Sequence, residues 1–387
     1  MQSFSRLVLV PVGLLASMTV HAQSSVSLYG VLDAGVAYFR NSGGATPTTL
    51  TKFNSGNLSG SRWGIRGTDA LGGGLSAVFQ LENGFNLGTG TLGQGSREFG
   101  RKAVVGLADQ RWGTLTIGRQ YDPVVDLVQG LTEDAYFGGS FATPGDLDNY
   151  DNSLRVSNSI KYVSPLLSGF QFEALYGIGG VAGAGGNGRT ISFGGAYANG
   201  PFAVGAGYFY ANGGNTTNSA GVRTWTGSSD TIFNTAINQG FGSAKSIQIA
   251  RAAAQYTFGA ATFGLAYSNA QYGADAFSAF RSTARFNVGS AFVNYQLSPT
   301  LRTGIGYSYT SQSGPASAHY NQINLGADYA LSKRTDVYAL AGYQIASGNT
   351  LSTNGALTSA QASIGSFGVS AGAPRQLLTA VGMRHKF

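Results

Sequence analysis

In Leu75-Ser76-Ala77-Val78-Phe79-Gln80-Leu81-Glu82 apolar side chains fill every odd position, while Ser76, Gln80 and Glu82 take even ones. Successive side chains of an extended strand point to opposite faces, so this segment has one greasy face and one wet face. The same alternation returns in Phe170, Phe172, Ala174 and Tyr176 against Gln171 and Glu173. It recurs in Phe263, Leu265 and Tyr267 against Thr262, Gly264 and Ser268. The greasy faces hold Tyr, Phe, Ala and Gly more than the Val, Ile and Leu of a soluble sandwich.

Composition says what the greasy face meets. Only 11% of the 387 residues are charged, less than half the share usual in soluble domains, yet 43% are hydrophobic and 59 are glycine. A membrane helix needs about 20 apolar residues in a row. The charge-free stretch from Thr190 to Val222 is broken by Gly194, Gly195, Asn199, Gly200 and Pro201 and does not qualify. Low charge, no apolar helix, 20 Tyr and 23 Phe point to a sheet facing lipid.

Turn signals divide the chain into sixteen strands. They are expected near 25–39, 58–68, 74–84, 98–109, 112–121, 155–164, 169–178, 188–198, 201–212, 246–258, 261–272, 283–297, 300–312, 318–331, 335–347 and 375–387. An even number closes an antiparallel barrel with both termini on one side. Ten residues at about 3.3 Å rise and about 45° tilt reach about 23 Å, close to an outer-membrane apolar band. Connections such as Asp69 to Gly73, Ser164 to Ser168 and Ser332-Lys333-Arg334 are short turns. Those at 40–57, 85–97, 122–154, 213–245 and 348–374 are long. Short turns belong to the periplasmic side and long loops to the outside.

The N-terminus fits export. Arg6 precedes the apolar stretch Leu7 to Val20, and Val20-His21-Ala22 offers small residues where a signal peptidase cuts, so residues 1–22 are expected to be a signal peptide. Cleavage leaves a single domain over 23–387, 365 residues with 23 basic and 17 acidic side chains, a net charge of +6. With no cysteine there is neither a disulfide framework nor a thiolate metal site, and without basic runs no nucleic-acid partner is expected.

Ser25-Val26-Ser27-Leu28-Tyr29-Gly30-Val31-Leu32-Asp33, Ser61-Arg62-Trp63-Gly64-Ile65-Arg66-Gly67, Leu71-Gly72-Gly73-Gly74-Leu75, Gly118-Arg119-Gln120-Tyr121-Asp122, Leu331-Ser332-Lys333-Arg334-Thr335 and the ending Gly382-Met383-Arg384-His385-Lys386-Phe387 form a set. Together they resemble the trimeric, sixteen-stranded general porins of Gram-negative bacteria. The resemblance implies a homotrimer of water-filled barrels in outer-membrane lipid, working without a cofactor. It also implies that the third extracellular loop, about 122–154, folds inward to narrow each pore, opposite a wall of arginines.

That loop carries Asp122, Asp126, Glu133, Asp134, Asp146, Asp148 and Asp151, seven of seventeen acids, and no Lys or Arg before Arg155. Tyr136, Phe137, Phe141 and Tyr150 suit a loop packed against something. Glu133, Asp134, Asp146 and Asp148 are the expected constriction acids. Alternation places Arg62 and Arg66 opposite Trp63 and Ile65, Arg155 and Lys161 opposite Val156, Ile160 and Tyr162, and Arg101 opposite Val104. Carried over from the resemblance, Arg62, Arg101 and Arg155 are the primary basic wall, with Arg66 and Lys161 secondary. With wall cations on rigid strands, a mild anion preference is expected.

Arg119 shares parity with Leu115 and Ile117 and is expected to point out of the barrel at a subunit interface, with Glu98 of a neighbour as a candidate partner. Phe387 looks like the terminal aromatic that barrels present to their assembly machinery. The patterns Gly88, Gly90, Gly93 and Gly183, Gly185, Gly188 fit a dinucleotide fingerprint but lack a following helix and acid. Gly368-Val369-Ser370-Ala371-Gly372 fits a nucleophile elbow without its strand-to-helix setting. No catalytic residue is therefore assigned. A surface-binding barrel such as an adhesin, or a membrane hydrolase using Ser370, is the alternative to a channel.

Overall fold

The computed structural model describes residues 25–43, 48–180, 187–213, 221–225 and 232–387; the expected signal peptide lies outside the described residues. Among them sixteen antiparallel strands close a barrel, and no helix is long and apolar enough to cross a membrane. The strands are β1 (Ser25–Ser42), β2 in two segments (Thr48–Ser55 and Arg62–Gly72), β3 (Leu75–Gly84), β4 (Lys102–Asp109), β5 (Gly113–Gln120), β6 (Val156–Val163), β7 (Phe170–Gly177) and β8 (Thr190–Asn199). They continue as β9 (Phe202–Asn212), β10 (Ser246–Phe258), β11 (Ala261–Gly273), β12 (Ala284–Ser298), β13 (Leu301–Ser313), β14 (Ala318–Ala330), β15 (Thr335–Leu351) and β16 (Arg375–Lys386). Closure comes from β1 against β16, in register from Val31 with Lys386 to Arg40 with Leu377.

The outer surface follows the alternation. Leu265 is 67% exposed and its neighbours Phe263 and Tyr267 are exposed as well, as lipid-facing side chains must be.

Three local departures matter for the lumen. The expected first long loop at 40–57 is mostly strand: β1 runs to Ser42 and Thr48–Ser55 pairs with its upper end, Ala34 opposite Ser55. Polar Thr and Ser alternate there as well as apolar residues do, and β1 supplies the hydrogen-bonding edge. What loops out instead is 56–61, between the halves of β2, and it loops into the lumen. In β6 the pairing with β5 slips between Gly118 and Gln120, beside Asn158 at φ 52°. This bulge turns Val156 inward, into the buried cluster that also holds Leu127 and Leu175, not outward with Ile160. In the last long loop, β15 extends to Leu351 and pairs with a short segment, Leu357–Ser359.

The interior is filled on one side. Helix α1 (Pro123–Val128), capped by Asp122 accepting from the Val124 and Val125 amides, lies along β8 and β9. The wall beneath it is glycine: a methyl group on Gly207 would press on Val124, and one on Gly205 on the Leu127 carbonyl. Phe137 sits likewise over Gly304 and Gly326. Lumen-facing glycines thus make room for the inward loop. Segment 232–244 packs Ile237 and Phe241 against Tyr272 and Phe286, so the open channel is displaced toward β2–β6.

Candidate pore constriction

A polar cavity of the lumen lies between the near wall and the inward loop. Along it lie Arg62, Gln80, Glu82, Arg101, Lys102, Tyr121 and Arg155 on the wall side, and Asp126, Gln129, Asp134 and Asp151 on the loop side. Tyr121 organises the cations: Lys102 Nζ lies 5.0 Å from its ring centre, and the Arg101 and Arg155 guanidinium carbons each lie 5.7 Å away. The negative face of an aromatic ring attracts each of them and offsets part of their mutual repulsion. Glu82 is the one wall acid among them. It takes Arg101 Nε at 2.7 Å and the Tyr121 hydroxyl at 3.1 Å, with Arg62 Nε 3.8 Å away.

The expected primary cations Arg62, Arg101 and Arg155 all reach this channel, but the parity given for Arg101 is corrected. Val104 pairs with Gln80 and so faces the lumen, not the lipid. Arg101 gets inside because it precedes β4 and is free of the strand's alternation. Lys102, opposite Glu82 in register, is the lumen-facing residue that the parity argument missed. The signal for it was that a Lys opposite a Glu on the wet face is a favourable cross-strand pair. Arg155 also precedes its strand, so parity with Lys161 did not place it. Of the secondary pair, Arg66 is exposed and does not line this cavity, lying 5.3 Å over the Tyr29 ring. Lys161 is buried and bonded to Asp126, with Glu173 3.5 Å away, so it ties α1 to the wall instead of facing solutes.

Of the four expected loop acids, only Asp134 lines the channel. Glu133 is turned to the far wall, against Gly306. Asp146 lies behind the channel lining, accepting from the Asp151 amide and the Ser153 hydroxyl. Asp148 is buried at the back of the loop, accepting from Ser268 and Thr143 and facing Arg251. Asp126 and Asp151 take the channel positions instead. A count of acids in a loop carries no information about which way each points.

Burial raises the loop carboxyls. Asp134 is pushed up to about 8, with Asp151 adding repulsion; Asp146 is pushed up to about 7, again with Asp151 adding to it. Glu133 goes up to about 10, with Asp134 as the second cause. A carboxyl raised by folding holds its proton more tightly in the folded loop. Its stabilisation is therefore full below the ordinary Asp value and is lost as pH rises through the raised one. For Asp134 this adds a negative charge to the constriction as pH passes about 8. The zero-current potential is expected to shift in the cation-preferring direction across that value. A zero-current potential that stays flat while pH crosses it would show that permeating ions do not sense Asp134.

The last long loop also contributes. Ser366 lines the channel, its amide donating to the Gly139 carbonyl at 2.9 Å and its hydroxyl to Asp151. Nothing in the composition of 348–374 announced this, because the contact joins residues more than two hundred positions apart. Ser370 holds the Ala236 amide with its hydroxyl, while His319 stacks on Tyr309 and His385 pairs with Thr335. Arg119 lies on the outward face opposite Ala103, yet it is only 7% exposed within one chain, donating to the Gly100 carbonyl and the Ser157 hydroxyl. Phe387 exchanges backbone hydrogen bonds with Gly30, its ring packed on that glycine and partly exposed on the outer face.

Known proteins with the same pattern extend over most of the chain. It is 31% identical over 368 residues to an outer membrane porin protein of Bordetella pertussis, covering 83% of this chain and 89% of that one. It is 28% identical over 345 residues to the major outer membrane protein P.IB of Neisseria gonorrhoeae, covering 85% and 91%. In three dimensions it superposes on the anion-selective porin from Comamonas acidovorans with a TM-score of 0.71 at 24% identity, over 94% of this chain and all of the other. OmpT of Vibrio cholerae in its trimer form gives 0.64 at 19% identity, over 94% and 99%. The sequence profile of Gram-negative porins matches residues 7–349, nearly nine-tenths of the length, and with that extent of agreement the chain belongs to the Gram-negative porin family of the outer membrane.

Proposed function

We propose that the chain forms a water-filled channel for passive diffusion of small hydrophilic solutes and ions, with a mild preference for anions, and works as a homotrimer without a cofactor. The observation that carries the anion preference is the grouping of Arg62, Arg101, Lys102 and Arg155 along one wall of the narrowest passage, opposite loop acids such as Asp134 whose burial favours their neutral form. Low-dielectric walls focus the field of such a cluster across the pore. The structural neighbour from Comamonas is itself named as anion-selective, which agrees. Wild-type protein in a planar bilayer under a salt gradient is expected to give a zero-current potential of anionic sign; cationic sign overturns the preference. Swelling of protein-loaded liposomes in small sugars separates a channel from a barrel that only binds at its surface.

The trimer reading rests on wall height. Strands β4 to β7 have eight residues each, whereas β10 to β15 have 13 to 17. At about 3.3 Å rise and about 45° tilt, eight residues reach about 19 Å, short of the roughly 25 Å apolar band. That low side, with Val105, Leu107, Leu115 and Ile117 exposed, suits burial against other copies. Arg119 lies at its upper edge and holds Gly100 and Ser157 together. We expect Arg119→Leu to lower the temperature at which the trimer dissociates in detergent; equal heat resistance rules out a role for Arg119 in assembly.

A further inference from the structure

Asp33 is fully buried and does not line the channel, yet the whole inward bulge at 56–61 hangs from it. Its carboxylate accepts the Leu58 amide at 2.8 Å and the Ser59 amide at 2.7 Å on one oxygen, and the Tyr338 hydroxyl at 2.6 Å on the other. Its backbone holds the two ends of the same bulge. The Gly56 amide donates to the Asp33 carbonyl at 2.7 Å, and Ser61 Oγ exchanges hydrogen bonds with the Asp33 amide and carbonyl. Gly56, at φ 82°, makes the turn that starts the departure from the sheet.

The bulge touches both sides of the constriction. On the loop side the Gly139 amide donates to the Asn57 carbonyl at 3.1 Å, and Leu58 packs in one cluster with Phe137 and Phe141. Gly138, at φ 68°, lies so close that a methyl group there would strike the Asn57 carbonyl and Leu58. On the wall side Arg62 Nη1 donates to the Gly60 carbonyl at 2.9 Å, and Gly60 faces the Arg101 guanidinium. Gly56, Leu58, Ser59 and Gly60 themselves line the channel.

We infer that Asp33 is the positioning residue of the constriction: by folding 56–61 inward it sets the gap between the loop at Gly139 and the arginines of the wall, and so sets pore width and charge selectivity. This rests on the channel reading above. A backbone segment that leaves a strand inside a barrel exposes amides that must find acceptors, and one carboxylate supplies two of them at the turn's apex. Without it Leu58 and Ser59 lose their partner and the bulge is free to relax toward the wall. That would carry Leu58 away from Phe137 and the Gly60 carbonyl away from Arg62.

The test compares wild type, Asp33→Ala and Asp33→Asn in planar bilayers. Asp33→Ala is expected to raise single-channel conductance about 1.5- to 2-fold and move the zero-current potential toward zero, since a wider, less ordered filter discriminates less. Asp33→Asn keeps an acceptor oxygen at the same place and is expected to restore most of the wild-type values. If Asp33→Ala assembles and lowers only heat stability, with both electrical readouts unchanged, Asp33 is merely structural and the inference fails. If it does not assemble, Gly138→Ala carries the test from the loop side, pushing the loop off the bulge with the same expected shift in potential; no shift there overturns the inference. Absence of channels in wild type would instead overturn the channel reading itself.

Discussion

Replacing Arg62, Arg101 and Arg155 together by Gln is expected to abolish the mild anion preference proposed above. An anion passing about 6 Å from each guanidinium gains about 0.7 kcal/mol from it in water-like surroundings and a cation loses as much, roughly a threefold change in the local concentration of each ion per charge. With the three removed, Lys102 faces Glu82, Asp126 stays bonded to Lys161 and burial favours neutral Asp134, so the passage is left near charge balance. The shift in zero-current potential is expected to be largest at low salt, because the Debye length falls from about 10 Å at 0.1 M to about 3 Å at 1 M. A triple variant with the wild-type potential at about 0.1 M would mean that the filter lies elsewhere along the lumen.

The largest effect on stability is expected behind the constriction loop. Arg251 on β10 and Asp148 in the loop have no solvent exposure on either side chain; Arg251 donates to the Asp148 backbone carbonyl and lies 4.3 Å over the Tyr150 ring. Arg251→Met leaves a buried carboxylate with only the hydroxyls of Thr143 and Ser268. Breaking a buried pair from one side costs about 3–5 kcal/mol, whereas replacing both partners by apolar groups of similar volume is often nearly neutral. Arg251→Met should therefore lower the thermal unfolding temperature and make single-channel current noisier, as the loop loses its rear attachment. The double variant Arg251→Met, Asp148→Leu should recover most of the stability. Unfolding of the single variant at the wild-type temperature would show that the loop is held by its other contacts alone.

Period-two alternation and turn chemistry are local, and they were enough to place sixteen strands, whereas the inward folding of the loop at 122–154 was implied by the resemblance to porins and not by either. They were also enough for Arg62, whose strand runs without interruption from Arg62 to Ala70 against β3. Where a strand is interrupted, parity stopped being a guide. Asn158 inserts a bulge that turns Val156 inward. Arg101 and Arg155 lie just before their strands, where alternation does not bind them, and Lys102, the next residue, is the one that alternation places in the lumen.

The amino-acid order by itself determined that this chain is a lipid-facing barrel with a long acidic loop and basic strands, because each of those properties is written in neighbours two residues apart or in the composition of one segment. Only the tertiary structure decided which charges meet solutes. Asp134 and Asp151 face the channel while Glu133, Asp146 and Asp148 face protein, and Ser366 and the bulge at 56–61 join the constriction from remote parts of the chain. The physical reason is that a loop folded into a lumen takes its conformation from the wall it lands on. Glycines at 205, 207, 304 and 326, the carboxylate of Asp33 and the guanidinium of Arg251 are the receiving surfaces, and none of them is near the loop in sequence.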